Sequence, residues 1–240
     1  MDYNAFLELV KNTRSIRKFK SDPIPDQYID QIIEVARWAP SGFNQQPWDF
    51  IVVKKKELKN KIVEFCRVYG PQSAQMETSR ESWQKGPKWA PVNEDNDFSI
   101  APVFILLCGD IRTLEGLPMI LRYNPEHLQS IFTSSLANAF LYMHMAATTL
   151  GVASQWVSSV HYSYAHCMIK ELLCIPKELV IYDMLALGYP AMEPRPKLLK
   201  DKVKTVHYDD CGPESFRTDD EVKDFIRKAR NWNIGIEKRK

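Results

Sequence analysis

Residues 37–53 read RWAPSGFNQQPWDFIVV. A polar loop holding Ser41, Gly42, Asn44, Gln45 and Gln46 lies between Pro40 and Pro47 and runs directly into an apolar strand-like stretch. Upstream, DPIPDQYIDQIIEVARWAP sets Ile29, Ile32, Ile33 and Ala36 at the spacing of one helical face. Pro25 suits the first turn of that helix and Pro40 stops it. Downstream, DFIVV is short, apolar and rich in branched residues, which predicts a buried strand. KKELKNKIVEFCRVY then resumes a helical period. The unit is helix, loop, strand, helix, and the question is what the loop is shaped to hold.

The same reading extends in both directions. Residues 3–11 form a short amphipathic helix with Phe6, Leu7, Leu9 and Val10, which delivers TRSIRKF to a loop. Residues 70–99 are polar and proline-punctuated, an irregular excursion. APVFILLCGD is a strand whose continuous apolar run predicts burial on both faces. Residues 111–129 form a second excursion, and 130–151 a helix apolar nearly all round, hence central. VASQWVSSV is a strand or extended loop, a helix follows over 164–174, and ELVIYDMLALGYP is a further strand. At the end, TDDEVKDFIRKARNW carries a capping box, Thr218 with Glu221, and the stripe Val222, Phe225, Ile226, Ala229. The prediction is one α+β domain over residues 1–240, a central sheet between helices. It has lid-like excursions near 70–99 and 111–129 and a C-terminal arm near 213–240.

Composition narrows the class. The chain has 240 residues, 45% hydrophobic and 26% charged, with a net charge of +2. That balance suits a globular protein and gives no argument for nucleic acid or a membrane surface. No run approaches the ~18 apolar residues of a membrane span. Five cysteines without a CxxC pair read as reduced thiols, which predicts a cytoplasmic setting. The GxSxG, HExxH, GxxxxGK[ST] and GxGxxG signatures are all missing, and the five histidines fall at no metal-ligand spacing. No metal is expected.

What remains is a dispersed set of anion-binding and amide groups. TRSIRKF presents Arg14, Ser15 and Arg17 in one short loop. Arginine forks and a hydroxyl suit a phosphate, although a solvated basic patch beside a helix end explains the same residues. PSGFNQQP offers a glycine, short side chains and amides, which let a backbone approach a flat heteroaromatic ring. An ordinary helix-to-strand connection would use the same residues.

Taken together, TRSIRKF (13–19), APSGFNQQPWDFIVV (39–53), APVFILLCGD (101–110), LGVASQWVSS (150–159) and LALGYPAMEP (185–194) resemble the nitroreductase family of FMN-dependent oxidoreductases. The motifs fall in the family's order over roughly residues 10–210. The resemblance implies a nitroreductase-like α+β fold with a mixed or antiparallel sheet, assembled as an intertwined homodimer. It implies that Arg14, Ser15 and Arg17 hold the FMN phosphate and ribityl end. It implies that Pro40, Ser41, Gly42 and Asn44 meet the isoalloxazine of the partner chain's flavin. Val157, Ser158 and Ser159 would offer backbone amides near flavin N5 and O4. Arg195, Lys197 and Lys200 are candidates for a return to the phosphate. Asn93 matches a position facing the pyrimidine, and Ser134 and Ser135 a polar contact at the start of the central helix. Two departures stand out. Ser158 and Ser159 occupy places where many relatives have glycine, and Asn96 lies where some carry a lysine.

The activity implied is ping-pong hydride transfer from NAD(P)H through flavin N5 to a nitroaromatic, a quinone or a related small-molecule acceptor, with no side-chain nucleophile. Arg122 and Tyr123, in the 111–129 excursion, are the candidate substrate contacts. Two other readings stay open. One is a specialised flavoenzyme on this scaffold, a dehydrogenase or reductive dehalogenase. The other is a non-catalytic flavin-binding or sensing protein.

Overall fold

The computed structural model describes residues 2–68, 79–84, 98–194, 196–213 and 216–234. The first helix, α1 (Tyr3–Asn12), starts where the Asp2 carboxylate accepts the Ala5 N–H at 2.8 Å. Helix α2 (Asp26–Arg37) follows Pro25 and buries Ile29, Ile32 and Ala36, three of the four residues its period picks out; Ile33 is half-buried. It ends at Trp38, two residues ahead of Pro40. Strand β1 (Trp48–Val53) and helix α3 (Lys56–Arg67) complete the unit read from the opening stretch.

Strand β2 (Val103–Asp110) is an interior strand of the sheet. The sheet order is β1-β2-β4-β3, with β3 at Ala153–Val157 and β4 at Leu179–Gly188, and every pairing is antiparallel. Because side chains alternate along a strand, β2 feeds two cores. Phe104, Leu106 and Cys108 pack with Ile62, Val63 and Cys66 of α3 and with Ala165 and Ile169 of α6 (Ser163–Leu172). Val103, Ile105 and Leu107 pack with α2 and with Phe132, Leu136, Ala139, Phe140 and Met143 of α5 (Pro125–Thr149). Residues 103–109 are buried as their apolar run predicts.

Several expectations are corrected. DFIVV lies at the sheet edge, and of β1 only Val53 is fully buried. The central helix begins at Pro125, five residues earlier than its apolar density suggests. Asn124 accepts the His127 N–H at 3.1 Å, and Pro125 occupies the first turn, where its missing N–H costs nothing. The second excursion is therefore shorter: a tight turn over Ile111–Gly116 and a single helical turn, α4 (Met119–Arg122). VASQWVSSV divides into β3 and a tight turn over Ser158–His161.

The chain separates into two compact units, Met1–Tyr69 with Glu94–Pro194, and Gly70–Asn93 with Arg195–Lys240. In the second unit, α7 (Asp219–Ile234) opens on the capping box: the Glu221 N–H donates to Thr218 Oγ1 at 3.3 Å and the Thr218 N–H to Glu221 Oε2 at 2.9 Å. Its stripe is only partly covered, with Val222 and Ile226 exposed and Phe225 half-buried beneath Lys200.

Candidate functional site

The basic segment is pinned to the open edge of the sheet. Ile16 and Phe19 are buried, and the Ile16 N–H donates to Ser154 O at 2.9 Å, which lays residues 14–17 beside β3. Lys20 N–H to Tyr189 O at 2.8 Å and Ala191 N–H to Lys18 O at 2.9 Å hold the other end beyond β4. With Ile16 and Phe19 committed to the core, Arg17 is exposed and Arg14 and Ser15 are half-buried. Ser15 Oγ accepts the Trp156 N–H at 3.4 Å. Arg14 Nη1 donates to Val10 O at 3.2 Å and Thr13 O at 2.6 Å, so the guanidinium also caps the C-terminus of α1.

Behind this segment lies His144 of α5, buried, with Nδ1 against the hydroxyl of Ser154. Burial, reinforced by the charge of Arg14, pushes this imidazole down to about 4. A neutral ring therefore backs the cationic loop at ordinary pH.

The PSGFNQQP loop is carried by the middle of α5. The Gly42 N–H donates to Ser135 Oγ at 3.1 Å, and that hydroxyl donates to Ile131 O at 2.7 Å. Asn138 Nδ2 reaches Pro40 O at 3.0 Å. A Cβ on Gly42 would stand 2.5 Å from Ile131 Cγ2, so only glycine lets the backbone approach this closely. Phe43, Asn44 and Gln46 all have positive φ, and the bend is fixed by Gln46 N–H to Ser41 Oγ and Gln46 Nε2 to Asn44 Oδ1, each 3.1 Å. Ser135 and His144 are nine residues apart on one helix, roughly 13 Å of rise. The loop and the basic segment are thus presented at separate stations of the same helix.

At the end of β3, Val157 is buried, Ser158 exposed and Ser159 half-buried. Among the described residues no side chain caps the start of the Ser158–His161 turn. Arg122 and Tyr123 are exposed at the end of α4, and Ser134 donates to Ile131 O at 3.1 Å. Lys197 and Lys200 belong to the second unit, where Lys200 Nζ sits 5.2 Å above the Phe225 ring. Asn93, Asn96 and Arg195 lie outside the described residues.

Sequence reading missed His144, Ser154, Trp156, His161 and Asp183. One signal was visible: a lone aspartate inside the apolar run ELVIYDMLALG, since a buried carboxylate needs partners. Asp183 Oδ2 accepts the Trp156 Nε1–H at 2.6 Å, and His161 Nε2 lies 3.1 Å from Oδ1.

Three comparisons bear on this arrangement. The sequence profile of the nitroreductase family matches residues 10–189. A Methanothermobacter thermautotrophicus protein, provisionally named an NADH dehydrogenase/NAD(P)H nitroreductase, is 29% identical over 188 residues, covering 78% of each chain. The FMN reductase [NAD(P)H] of Bacillus subtilis is 25% identical over 251 residues, covering 97% of this chain and 90% of its own. The fold matches the crystal structure of oxidised iodotyrosine deiodinase bound to FMN and 3-iodo-L-tyrosine with a TM-score of 0.65 at 23% identity, covering 85% of this chain and 99% of that one.

Proposed function

The chain belongs to the nitroreductase family, and from that premise we propose that it is an FMN-dependent NAD(P)H oxidoreductase acting on a small-molecule acceptor. The observation that carries this reading is the basic segment docked on β3 through Ile16 N–H to Ser154 O. Its donor set fits a phosphate monoester. Arg17 is exposed, Arg14 brings a second guanidinium, and Ser15 adds a hydroxyl, so two charges and a hydroxyl come from four consecutive residues. Helix-turn N–H groups at Ser158 and Ser159 supply donors for a ring edge.

Bound there, FMN would supply the hydride chemistry, taking electrons from NAD(P)H and passing them to a nitroaromatic, quinone or related acceptor at one shared face. The protein's own part is binding and orientation. Arg14, Ser15 and Arg17 fix the phosphate end, and the turn after β3 fixes the ring edge. No side chain need act as nucleophile.

The Pro40–Asn44 loop is read as facing the flavin of a second copy. Its station on α5, roughly 13 Å from His144, supports this, and so do uncovered apolar faces. Helix α1 buries none of its residues, leaving Phe6 and Val10 exposed, and Trp38 is 78% exposed.

The reading is tested on the purified protein. Heat release and chromatography should yield FMN and not FAD, and NADH or NADPH should be oxidised in the presence of menadione or a nitrofuran. A colourless protein that FMN cannot reconstitute refutes the cofactor assignment. A yellow protein with no turnover of either acceptor refutes the general reductase.

A further inference from the structure

The turn after β3 is held by an ion pair that the binding reading does not use. Strand β4 carries a bulge. Leu107 of β2 pairs with Asp183 and Cys108 pairs with Ile181, so Tyr182 is the extra residue. Such a bulge re-aims the side chains beside it. Asp183 is 5% exposed, and its Oδ2 is fixed by the Trp156 indole N–H at 2.6 Å. That indole is itself wedged against Phe140, with ring centres 4.2 Å apart, and near Tyr182 at 6.4 Å. The carboxylate is therefore fixed through Oδ2, while Oδ1 is buried, makes no aligned hydrogen bond among the described residues, and lies at ion-pair distance from His161 Nε2, 3.1 Å away. His161 is the last residue of the Ser158–His161 turn, whose neighbouring Val160 is wholly buried.

We infer that the His161–Asp183 pair is a clamp that holds the Ser158–His161 turn on the end of β4, and is thereby a positioning element for the flavin edge presented to that turn. The inference rests on the FMN reading above for its second half only. Three elements meet at one carboxylate: β3 through Trp156, β4 through Asp183 itself, and the turn through His161. Removing His161 takes away the turn's contact with Asp183 while leaving the Trp156 contact intact.

The surrounding charges define when the clamp is closed. The Asp183 carboxylate raises the His161 imidazole above its ordinary value, burial opposes this, and the backbone of Tyr182 adds to it. From α6, His166 faces the turn. Burial, then Lys170, then His161 lower its imidazole, which favours its neutral form. The Cys66 thiol of α3 meets Ser159 and is raised by burial, and the Tyr182 phenol is raised by burial and by Asp183; both stay uncharged near neutrality. Among these groups Asp183 supplies the negative charge. The clamp is closed below the pKa of folded His161 and opens as pH rises through it.

Two measurements on the full chain test this, comparing the wild type with His161→Gln and Asp183→Asn. The first is ligand-free amide exchange over 158–162 at matched pH. The wild type should be better protected than His161→Gln at pH 6, and the difference should shrink as pH rises. The second is FMN affinity by quenching of flavin fluorescence. His161→Gln should bind about fivefold more weakly at pH 6, with a smaller difference at pH 8.5. Titration of the FMN phosphate is common to both proteins and cancels in the ratio. Asp183→Asn should follow His161→Gln while keeping an oxygen for the Trp156 N–H, and a thermal melt confirms that each variant is folded. Exchange that is equal in wild type and variant at pH 6 overturns the clamp. Protection that changes as expected with an unchanged FMN ratio overturns the positioning role. If wild type binds no FMN at either pH, the cofactor reading fails and the positioning role with it, while exchange alone decides the clamp.

Discussion

The backbone N–H of Gly42 donates to the hydroxyl of Ser135 across 3.1 Å, tying the PSGFNQQP loop to the central helix. The contact forms because no Cβ intervenes; one placed on Gly42 would meet Ile131 Cγ2 at 2.5 Å. Gly42→Ala should therefore displace the loop or the Ile131 side chain and destabilise the protein by about 1–3 kcal/mol, the usual cost of overpacking. That corresponds to a Tm lower by roughly 2–10 °C for a chain of this size. Thermal melts of Gly42→Ala alone and with Ile131→Ala check the cause. The double variant should lose less stability than the sum of the singles, because the clashing methyl is gone. Strict additivity would mean that Ile131 is not what holds the glycine in place.

The two arginines of the basic segment should behave differently. Arg17 is exposed, whereas Arg14 donates to Val10 O and Thr13 O at the end of α1. Arg17→Ala should weaken FMN binding about tenfold, from a charge-assisted bond of roughly 1.5–3 kcal/mol, with Tm unchanged. Arg14→Ala should weaken it comparably and also lower Tm, since the last carbonyls of α1 lose their cap. Fluorescence titration and a thermal melt on each variant suffice. FMN affinity unaltered in both returns the pair to a solvated basic patch.

His144 predicts a loss of stability in mild acid. Its folded imidazole is pushed down to about 4, chiefly by burial, while an unfolded histidine titrates near 6.5. Between those values the unfolded chain binds a proton that the folded chain refuses, so stability falls as pH drops through the window, by up to about 3 kcal/mol. His161 runs the opposite way, because its folded value is raised and its contribution is lost as pH climbs. Urea unfolding at pH 7 and pH 4.5 should show the acid loss in the wild type and a smaller one in His144→Gln. Identical slopes in the two would place the proton uptake elsewhere.

Much of this was legible in the sequence, and the boundary is physical. The two-faced burial of β2 follows from an unbroken apolar run, and α2 from the period of Ile29, Ile32 and Ala36. Signals confined to one segment survive folding. The early start of α5 did not show, because Pro125 reads as a breaker until Asn124 is seen capping it. DFIVV was read as buried, and only the strand order reveals it as an edge. The basic segment and the polar loop were visible as motifs. The His144–Ser154 contact and the Trp156–Asp183–His161 cluster were not, because each joins residues brought together by strand pairing and a bulge.

Uncovered apolar surface predicts self-association. Tyr3, Phe6 and Val10 on α1, with Trp38 and Phe43 near the loop, are all exposed although each is apolar. Patches of this kind mark contact surfaces. Sedimentation equilibrium at micromolar concentration should give twice the chain mass, and Phe6→Asp should shift the protein toward one chain. If the loop does serve the partner's flavin, that variant should also release FMN. A wild-type mass of one chain with flavin retained would refute the shared site.

Selectivity among acceptors should depend on Arg122 and Tyr123 at the end of α4. The single turn Met119–Arg122 follows Pro118 and precedes the Asn124 cap, so it is held at both ends by residues that fix the backbone. Its apolar side chains are not consumed by the core: Met119, Ile120 and Tyr123 are 64%, 82% and 79% exposed. An exposed cation and an exposed phenol on a braced turn can meet a substrate without carrying the fold. Substituting them should therefore leave Tm and FMN affinity unchanged. Only contacts that differ between transition states alter selectivity, so the effect should be unequal across acceptors. Arg122→Ala should lower kcat/KM for a carboxylated nitroarene at least about fivefold relative to menadione, from a charge pair worth ~1 kcal/mol. Tyr123→Ala should act on both acceptors if the ring packs on either. Equal effects of Arg122→Ala on the charged and the neutral acceptor, or none on either, would leave this turn as a surface connection whose exposed side chains play no part in acceptor choice.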